Sequence, residues 1–534
     1  MSDLLRDAPA GQLLRWMTGK RVLKYPEERH DFALPDSIAL QSDSTGSDTY
    51  HASSSDLERS VPPGMRAQDE LHMTSGESDG DLVVVDWYTK DDPANPQSWS
   101  GSRKALVSFI IFVYTFIVYA GSAIYTSSEE DVISVFGVSI TVSSLGLSLY
   151  VLGYGVGPLF FSPLSEIPSI GRSPVYCITV LLSVVISIPL PLVNNLAGLL
   201  VLRFLQGFFG SPCLATGGAT MQDLYSPLYL PFALSVWVTA AYCGPALGPL
   251  ISGFAVSKMG WLFAVMFLLL PETSTPTLLY QRARRLRKIM GSQRLMARSE
   301  INQRQLQPAD IVLEAIIKPL EITVKDPAVL FVQLYTAIVY GIYYSFFEVF
   351  PLVYPMYGFT LGTIGLVFLC ILIACMLGVL LYFAYLHLYL LPHLQKGISK
   401  SQESRLVPAL IGCFGPPIGL FLFGWTANGS IHWIVPTIGI TIYSGSAFVV
   451  LQCVFVYVPM SYPMYAASLF AANDFFRSAM ACGSILYARP MFRDLGIARG
   501  ISLLGGLSTL GIIGIFLLYK YGAKLRAKSK FAVS

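Results

Sequence analysis

The sequence predicts an all-α integral membrane protein: two six-helix bundles, the sixth helix truncated. Three observations carry that expectation. Of 534 residues, 53% are hydrophobic and only 13% charged, whereas a soluble domain carries about 25% charged residues. The apolar residues gather into runs that match the roughly 20 residues a helix needs to cross a bilayer. The runs fall into two sets on either side of a basic stretch, and a short sequence recurs at the start of each set. The net charge of +3 is small and gives no reason to expect nucleic acid. The eight cysteines lie in or at the ends of apolar runs without CxxC-type spacing, so they read as packing residues and not as metal ligands.

In chain order, residues 1–103 are expected to form a cytoplasmic polar tail, largely disordered. Gln41 to Ser60 has almost no apolar content and is expected to be disordered. Residues 4–22 can form an amphipathic helix, with Leu4, Leu5, Leu13, Leu14 and Trp16 set against Arg15, Lys20 and Arg21. It either lies on the membrane surface or is a mere tail. Asp3, Arg6 and Asp7 stand where a signal peptide needs its apolar core, so no cleavable signal is expected.

Spans are expected near 105–125, 140–161, 174–193, 196–219 and 230–254, then 327–351, 361–385, 406–426, 432–457, 465–487 and 497–519. These give an N-terminal bundle over 104–274, a basic cytoplasmic linker over 275–326, a C-terminal bundle over 327–519 and a cytoplasmic tail over 520–534. Positive charge tests the count. The linker, the loop with Lys396, Lys400 and Arg405, and the C-terminal tail share one side only if something crosses the membrane between Phe254 and Pro271. The candidate, Trp261 to Leu270, has ten residues. As a helix it rises about 15 Å, half of the hydrocarbon thickness. About half a helix is missing there, and an internal deletion or a misplaced exon boundary is the explanation expected; the transcript across codons 255–275 decides. Arg489, Arg493 and Arg499 fall on the outer side as exceptions.

The repeat is Tyr114-Thr115-Phe116-Ile117-Val118-Tyr119 against Tyr335-Thr336-Ala337-Ile338-Val339-Tyr340, five of six residues identical. It opens the two sets at equivalent places, as parallel repeats do. In the fourth span, LLVLRFLQGFFG (residues 199–210) buries Arg203 in an apolar run. Arginine keeps its proton in proteins. Placing it at bilayer depth costs from about 2.5 to more than 10 kcal/mol, depending on the scale. Two readings follow: a clamp to backbone carbonyls of neighbouring helices, or a site where proton or substrate alters the charge balance. Glu348, Asp474 and Arg477 are the other intramembrane charges. Asp474 and Arg477, three apart, share a helix face, either as a structural pair or as a carboxylate that changes partners during transport. Glu348, near the outer end of its span, is able to snorkel.

Several stretches resemble the major facilitator superfamily. PLSEIPSIGR (163–172) is similar to its first cytoplasmic-loop signature, with the acid-to-glycine spacing two residues longer and Ser173-Pro174 in place of a second basic residue. RFLQG (203–207) resembles the fourth-helix signature, GPALGP (244–249) the antiporter signature, and PETS (271–274) the motif after helix six. DDPANPQSWS (91–100), YYSFFEVFPLVY (343–354) and AANDFFRS (471–478) look like the twelve-span fungal drug:proton antiporters. The resemblance runs from about Asp81 to the C-terminus. It implies export of small apolar compounds in exchange for protons across the plasma membrane, or alternatively the vacuolar membrane, by a monomer.

Under that resemblance the proton-coupling candidates are Arg203, Asp474, Arg477 and Glu348. Glu166, Gly171 and Arg172 form the cytoplasmic gate. Gly244, Pro245, Gly248 and Pro249 shape a helix able to bend, since proline removes a helix hydrogen bond. Aromatic walls and polar anchors suit an apolar substrate; Tyr242, Tyr343, Phe346, Phe347, Gln452, Phe475 and Phe476 are the candidates. Asn428-Gly429-Ser430 is a glycosylation sequon in a predicted outer loop. The expected partners are a small-molecule substrate, protons and the lipid bilayer, with no nucleic acid, cofactor or metal. His387 and His393 lack HxxxH spacing, and there is neither a G-x-S-x-G nor a Walker loop, so neither catalysis nor ATP binding is expected. Two rivals stand beside export. A proton-driven uptake symporter is separated by flux direction under an imposed pH gradient. A non-transporting sensor on the same fold binds without flux.

Overall fold

The computed structural model describes residues 2–29, 32, 83–89, 91–255, 266–291, 294–303, 317, 319–395 and 402–532. Among them, ten helices are long and apolar enough to cross a membrane. An eleventh, Ala466–Leu495, packs among them and carries Asp474 and Arg477. A bilayer offers backbone groups no partners, so each span must close its own hydrogen bonds as a helix. Side chains finish the ends: Ser100 accepts from the Arg103 amide at 3.4 Å, and Asn195 from the Gly198 amide at 2.6 Å. Asp326 accepts from the amides of Ala328 and Val329, one residue before Pro327 in the first helical position.

The first set comprises Gly101–Ala123, Leu145–Glu166, Arg172–Ser187, Leu196–Gly210 continued by Cys213–Leu224, and Leu230–Ala255. These are spans one to five. The second set comprises Pro327–Val353, Leu369–Tyr385, Val407–Gly412 with Gly415–Thr426, Ile434–Ser461, Ala466–Leu495 and Ile497–Lys528. These are spans seven to twelve. The pairings repeat with an offset of six. Span one lies on five as seven lies on eleven, two on four as eight on ten, and three on four as nine on ten. Further pairs join the sets, among them span two with eleven and span five with eight. These two exchange under the same offset, as a twofold relation between repeats requires.

The expected short sixth span lies mostly outside the described residues. Only its end is seen: residues 266–269 are helical and Leu270 to Ser274 leave the helix. The disorder expected for Gln41 to Ser60 also falls outside. Two pieces of the tail assigned as largely disordered are folded. Ser2–Asp7 and Pro9–Met17 are helices, and Val83–Val85 pairs in parallel with Leu295–Ala297. The linker contributes the helix Thr275–Met290. These pieces meet through Arg282, which is bidentate to Asp92 at 2.7 and 3.1 Å, and through Glu27, which takes Arg282 and Arg285 at 3.4 Å each. Burial pushes the Asp92 carboxyl up, but the Arg282 hydrogen bonds, the Ala94 amide and the Tyr88 amide outweigh it and hold it below its ordinary value.

Candidate functional site: the seam between the halves

The seam is joined at both ends and in the middle. At the end away from the linker, Ser144 of span two donates to Glu348 of span seven at 3.3 Å, and Arg489 of span eleven pairs with the same carboxylate at 3.6 Å. Ser148 donates to the Cys482 carbonyl at 3.0 Å. Glu348 is therefore buried and paired and does not snorkel. Arg489, an exception to the charge rule, is explained by that pairing. At the end toward the linker, Gln452 of span ten donates to the Pro231 carbonyl of span five at 3.4 Å, and Phe232 meets Phe383 with ring centroids 5.1 Å apart.

The middle holds the charge. Asp474 is 0% exposed and Arg477 3%. Their spacing places both on one face of span eleven, where Arg477 Nη2 donates to Asp474 Oδ1 at 2.7 Å. Tyr119 of span one donates to the same oxygen at 3.2 Å and accepts from Arg477 Nη2 at 3.2 Å. The guanidinium also lies 4.8 Å over the Tyr340 ring. Tyr119 and Tyr340 close the two copies of the repeated hexapeptide, so the repeat brings one tyrosine from each half to the same cation. Tyr154 of span two extends the cluster, sharing hydrogen bonds of 2.9 Å with both Tyr340 and Tyr344. Asn473, beside the pair, donates to Gln333 and Thr336 at 2.5 and 2.7 Å and fixes span eleven on span seven. Asp474 Oδ2 has no hydrogen-bond partner among the described residues.

Arg203 sits within the first half. It donates to the carbonyls of Gly146 at 3.3 Å, Gly121 at 3.2 Å and Ser122 at 3.4 Å, and to Gln206 Oε1 at 3.1 Å. The rings of Tyr125 and Tyr150 flank it at 4.8 and 4.6 Å. No carboxylate among the described residues forms an ion pair with it. Of the two readings, the geometry is that of the carbonyl clamp, tying span four to spans one and two. One step leads on to the seam: the Ser122 hydroxyl shares a hydrogen bond of 3.0 Å with Tyr344.

Glu166 and Arg172, both expected in the cytoplasmic gate, do not form an ion pair with each other. Arg172 forms its ion pair with Asp223 at the end of span four, while Glu166 is exposed and outside the pair. Nothing in the sequence marks Asp223, which stands in the last turn of the helix Cys213–Leu224 without a motif of its own. Gly171 has a φ of +82°, which suits glycine at the start of span three. Glu272, from the PETS stretch, accepts from the amides of Arg172 at 3.2 Å, Ser173 at 3.1 Å and Ser274 at 2.8 Å. It thus caps span three from the far end of the half.

Span five runs as one helix through Pro245 and Pro249. A Cβ at Gly244 would lie 2.8 Å from the Phe116 carbonyl, and one at Gly248 2.9 Å from that of Ala120. These glycines set how closely span five approaches span one. Of the aromatic candidates, Tyr242, Tyr343 and Phe347 gather near the seam. The Tyr343 hydroxyl donates to the Tyr242 carbonyl across the halves at 3.0 Å, and Phe347 packs 5.4 Å from Tyr344. Phe346 turns instead into the second half, toward Phe423 and Tyr443. Phe475 and Phe476 are half-buried and pack on each other, on the side of span eleven away from the charged pair. The Tyr242 hydroxyl and Gln452 Oε1 are buried without a partner among the described residues. Asn428 is exposed between spans nine and ten, its carbonyl accepting from Tyr357 at 2.7 Å.

A family model, Major Facilitator Superfamily, matches residues 110–485. The chain belongs to that superfamily. This multi-pass membrane protein is a transporter of small molecules and not an enzyme. It is 43% identical to the MFS-type transporter pyvG of Aspergillus violaceofuscus, over 100% of both chains. It is 35% identical to the cycloheximide resistance protein of Candida maltosa, also over 100% of both. With fluconazole resistance protein 1 of Saccharomyces cerevisiae it shares 38%, over 84% of this chain and 85% of that one. Among solved structures, the proton:xylose symporter XylE matches with a TM-score of 0.54 at 13% identity, covering 79% of this chain and 96% of that one. The human organic anion transporter MFSD10 matches with a TM-score of 0.51 at 17% identity, covering 77% and 99%. At those identities the likeness is one of fold. The transporter resemblance read in the fourth-, fifth- and eleventh-span motifs agrees with the relatives found.

Proposed function

We propose that this transporter exports small apolar or amphipathic compounds, drugs or secondary metabolites, in exchange for protons by alternating access. The names of the relatives support the direction and the cargo class. The observation that carries the coupling is Asp474: one oxygen holds both Arg477 and a tyrosine of the opposite half, and the other is unpartnered. Apolar surroundings penalise a charged carboxylate, and a neighbouring guanidinium favours it. Parting the halves removes the Tyr119 contact and admits water, so the two protonation forms differ in stability between states. A proton on Asp474 removes the charge that draws Tyr119 and Arg477 together and frees the seam to open. Tyr242, Tyr343 and Gln452 supply aromatic wall and polar anchors at the same seam. Arg203 holds spans one, two and four in register so that Tyr119 and Tyr154 arrive where Asp474 needs them. Arg172 with Asp223 and Glu272 steadies the cytoplasmic ends, and span five rocks on span one about Gly244 and Gly248. The chain works as a monomer in the plasma membrane.

Efflux of fluconazole and of cycloheximide from a pump-deficient yeast tests this, with and without a proton uncoupler. The expected result is uncoupler-sensitive efflux of at least one drug by the wild type and none by Asp474→Asn at equal membrane abundance. Uptake driven by an inward proton gradient would replace export by symport. Binding without flux would make the chain a sensor.

A further inference from the structure

Away from the seam, the folded N-terminal segment and the linker helix enclose two adjoining cavities on the cytoplasmic face. One, of about 410 Å³, is mostly apolar and is lined by Pro9, Leu13, Pro174, Ile178, Leu181 and Phe267; Asp7 and Glu272 also stand on its wall, the first paired with Arg6 and Arg103 and the second held by backbone amides. It opens along the lipid-facing side of span three, where Ile178 is 59% exposed and Leu181 is exposed as well. The other, of about 810 Å³, is basic and is lined by Arg15, Lys20, Lys24, Arg284, Arg285 and Lys288. Gln12, Tyr25 and Gln281 line both and form the boundary between them.

The charge in the basic cavity is not balanced within the protein. Arg15 is committed to Glu28 at 2.7 and 2.8 Å, and Arg285 to Glu27 at 3.4 Å. Lys20, Lys24, Arg284 and Lys288 are exposed and have no carboxylate partner among the described residues. The turn bearing Lys20 and Lys24 is not a loose end. Gly19, Lys20 and Leu23 all have positive φ, at 59°, 65° and 54°, and Arg15 donates to the Leu23 carbonyl across the turn. A non-glycine residue holds that conformation only where its surroundings impose it. Trp16, 78% exposed, stands at the rim, a residue type that anchors at the membrane interface.

We infer that these two cavities form one binding site for a phospholipid of the cytoplasmic leaflet whose headgroup carries two or more phosphates. The headgroup occupies the basic cavity and an acyl chain runs through the apolar one along span three. A singly charged headgroup would leave most of the four unbalanced cations unmatched. A free phosphate compound would leave the apolar cavity unused. The lipid would bridge the N-terminal segment, the linker helix and span three, so it would hold the cytoplasmic side of the first half together. The inference concerns binding and stands whichever way transport runs.

The test uses the full-length purified protein in phosphatidylcholine nanodiscs, titrated with a dioctanoyl phosphatidylinositol bisphosphate, dioctanoyl phosphatidylserine, and inositol trisphosphate as the headgroup alone. Saturable binding of the bisphosphate lipid is expected, about tenfold or more tighter than either of the others. The combined variant Lys20→Gln, Lys24→Gln, Arg284→Gln, Lys288→Gln is expected to lose about tenfold or more of that binding, with unchanged melting in the absence of lipid. Leu181→Asn is expected to bring lipid affinity down toward that of the headgroup. Equal binding of inositol trisphosphate would show a phosphate site and no lipid site. Equal binding of phosphatidylserine, no saturation, or full binding by the combined variant would each overturn the inference.

Discussion

Two buried arginines of this protein are solved in opposite ways. Arg203 is surrounded by groups that cannot change: three backbone carbonyls, a glutamine oxygen and two ring faces, all in the first half. Arg477 is paired with a carboxylate that can take a proton, and the pair is touched by a tyrosine of the other half. The first arrangement offsets the cost of burial permanently and suits a clamp. The second offsets it only while Asp474 is charged and the halves are together, which suits a switch. Charge in a membrane span therefore does not by itself mark the coupling site. Under the proposed mechanism, what marks it is a titratable partner and a contact that crosses between the halves.

Substitutions can break or sharpen this contrast. The largest effect is expected from Arg477→Ala. Removing one partner of a buried pair costs about 3–5 kcal/mol, and efflux per folded molecule should vanish. Efflux at a tenth of wild type or more would mean the pair is not needed. Arg203→Ala strands buried carbonyls at about 1–3 kcal/mol each. The melting temperature and membrane abundance should fall, while drug efflux per folded molecule stays within about threefold of wild type, a span of less than 1 kcal/mol. Loss of efflux in a fully stable Arg203→Ala protein would move the switch to Arg203. Tyr119→Phe removes two hydrogen bonds to charged groups, the one given to Asp474 and the one accepted from Arg477, each worth about 1.5–3 kcal/mol. It should weaken the seam and change the pH dependence of efflux without lowering abundance; an unchanged pH profile would detach Tyr119 from coupling.

The smallest effect lies outside the membrane. The Asp92 carboxyl is held below its ordinary value in the folded protein. Its contribution to docking the tail on the linker helix is thus complete above the ordinary carboxylate range and fades as pH falls through the depressed value. Protection factors at Val83 to Val85, which remove the intrinsic pH dependence of amide exchange, should fall on acidification in the wild type and be low already at neutral pH in Asp92→Asn. A pH-independent wild type would remove Asp92 from that role.

The spans, the two-set division and the charged residues were legible because bilayer length and helical backbone closure leave a strong linear signal. The hexapeptide repeat pointed correctly to equivalent helices, but nothing local said that Tyr119 and Tyr340 would meet at Arg477. That meeting depends on how the halves face each other. Arg203 stands out in the sequence because its cost is visible in one dimension, whereas the carbonyls that absorb the cost come from distant helices. Asp223 and the Glu348–Arg489 pair escaped for the same reason: each partner is ordinary in its own stretch. The helix read over residues 4–22 is present as Ser2–Asp7 and Pro9–Met17, but its docking on the linker was hidden by polar composition, since ion pairs hold it there and not an apolar run.

The central claim is that Asp474 carries the exchanged proton while Arg203 does not. Membrane vesicles containing Asp474→Asn, Arg203→Gln or wild-type protein test it through two readings on the same preparation: drug movement driven by an imposed pH gradient, and exchange of labelled for unlabelled drug without one. The account predicts that Asp474→Asn loses the driven movement and keeps the exchange, and that Arg203→Gln keeps both per folded molecule. Gradient-driven transport by Asp474→Asn at the wild-type rate would contradict it.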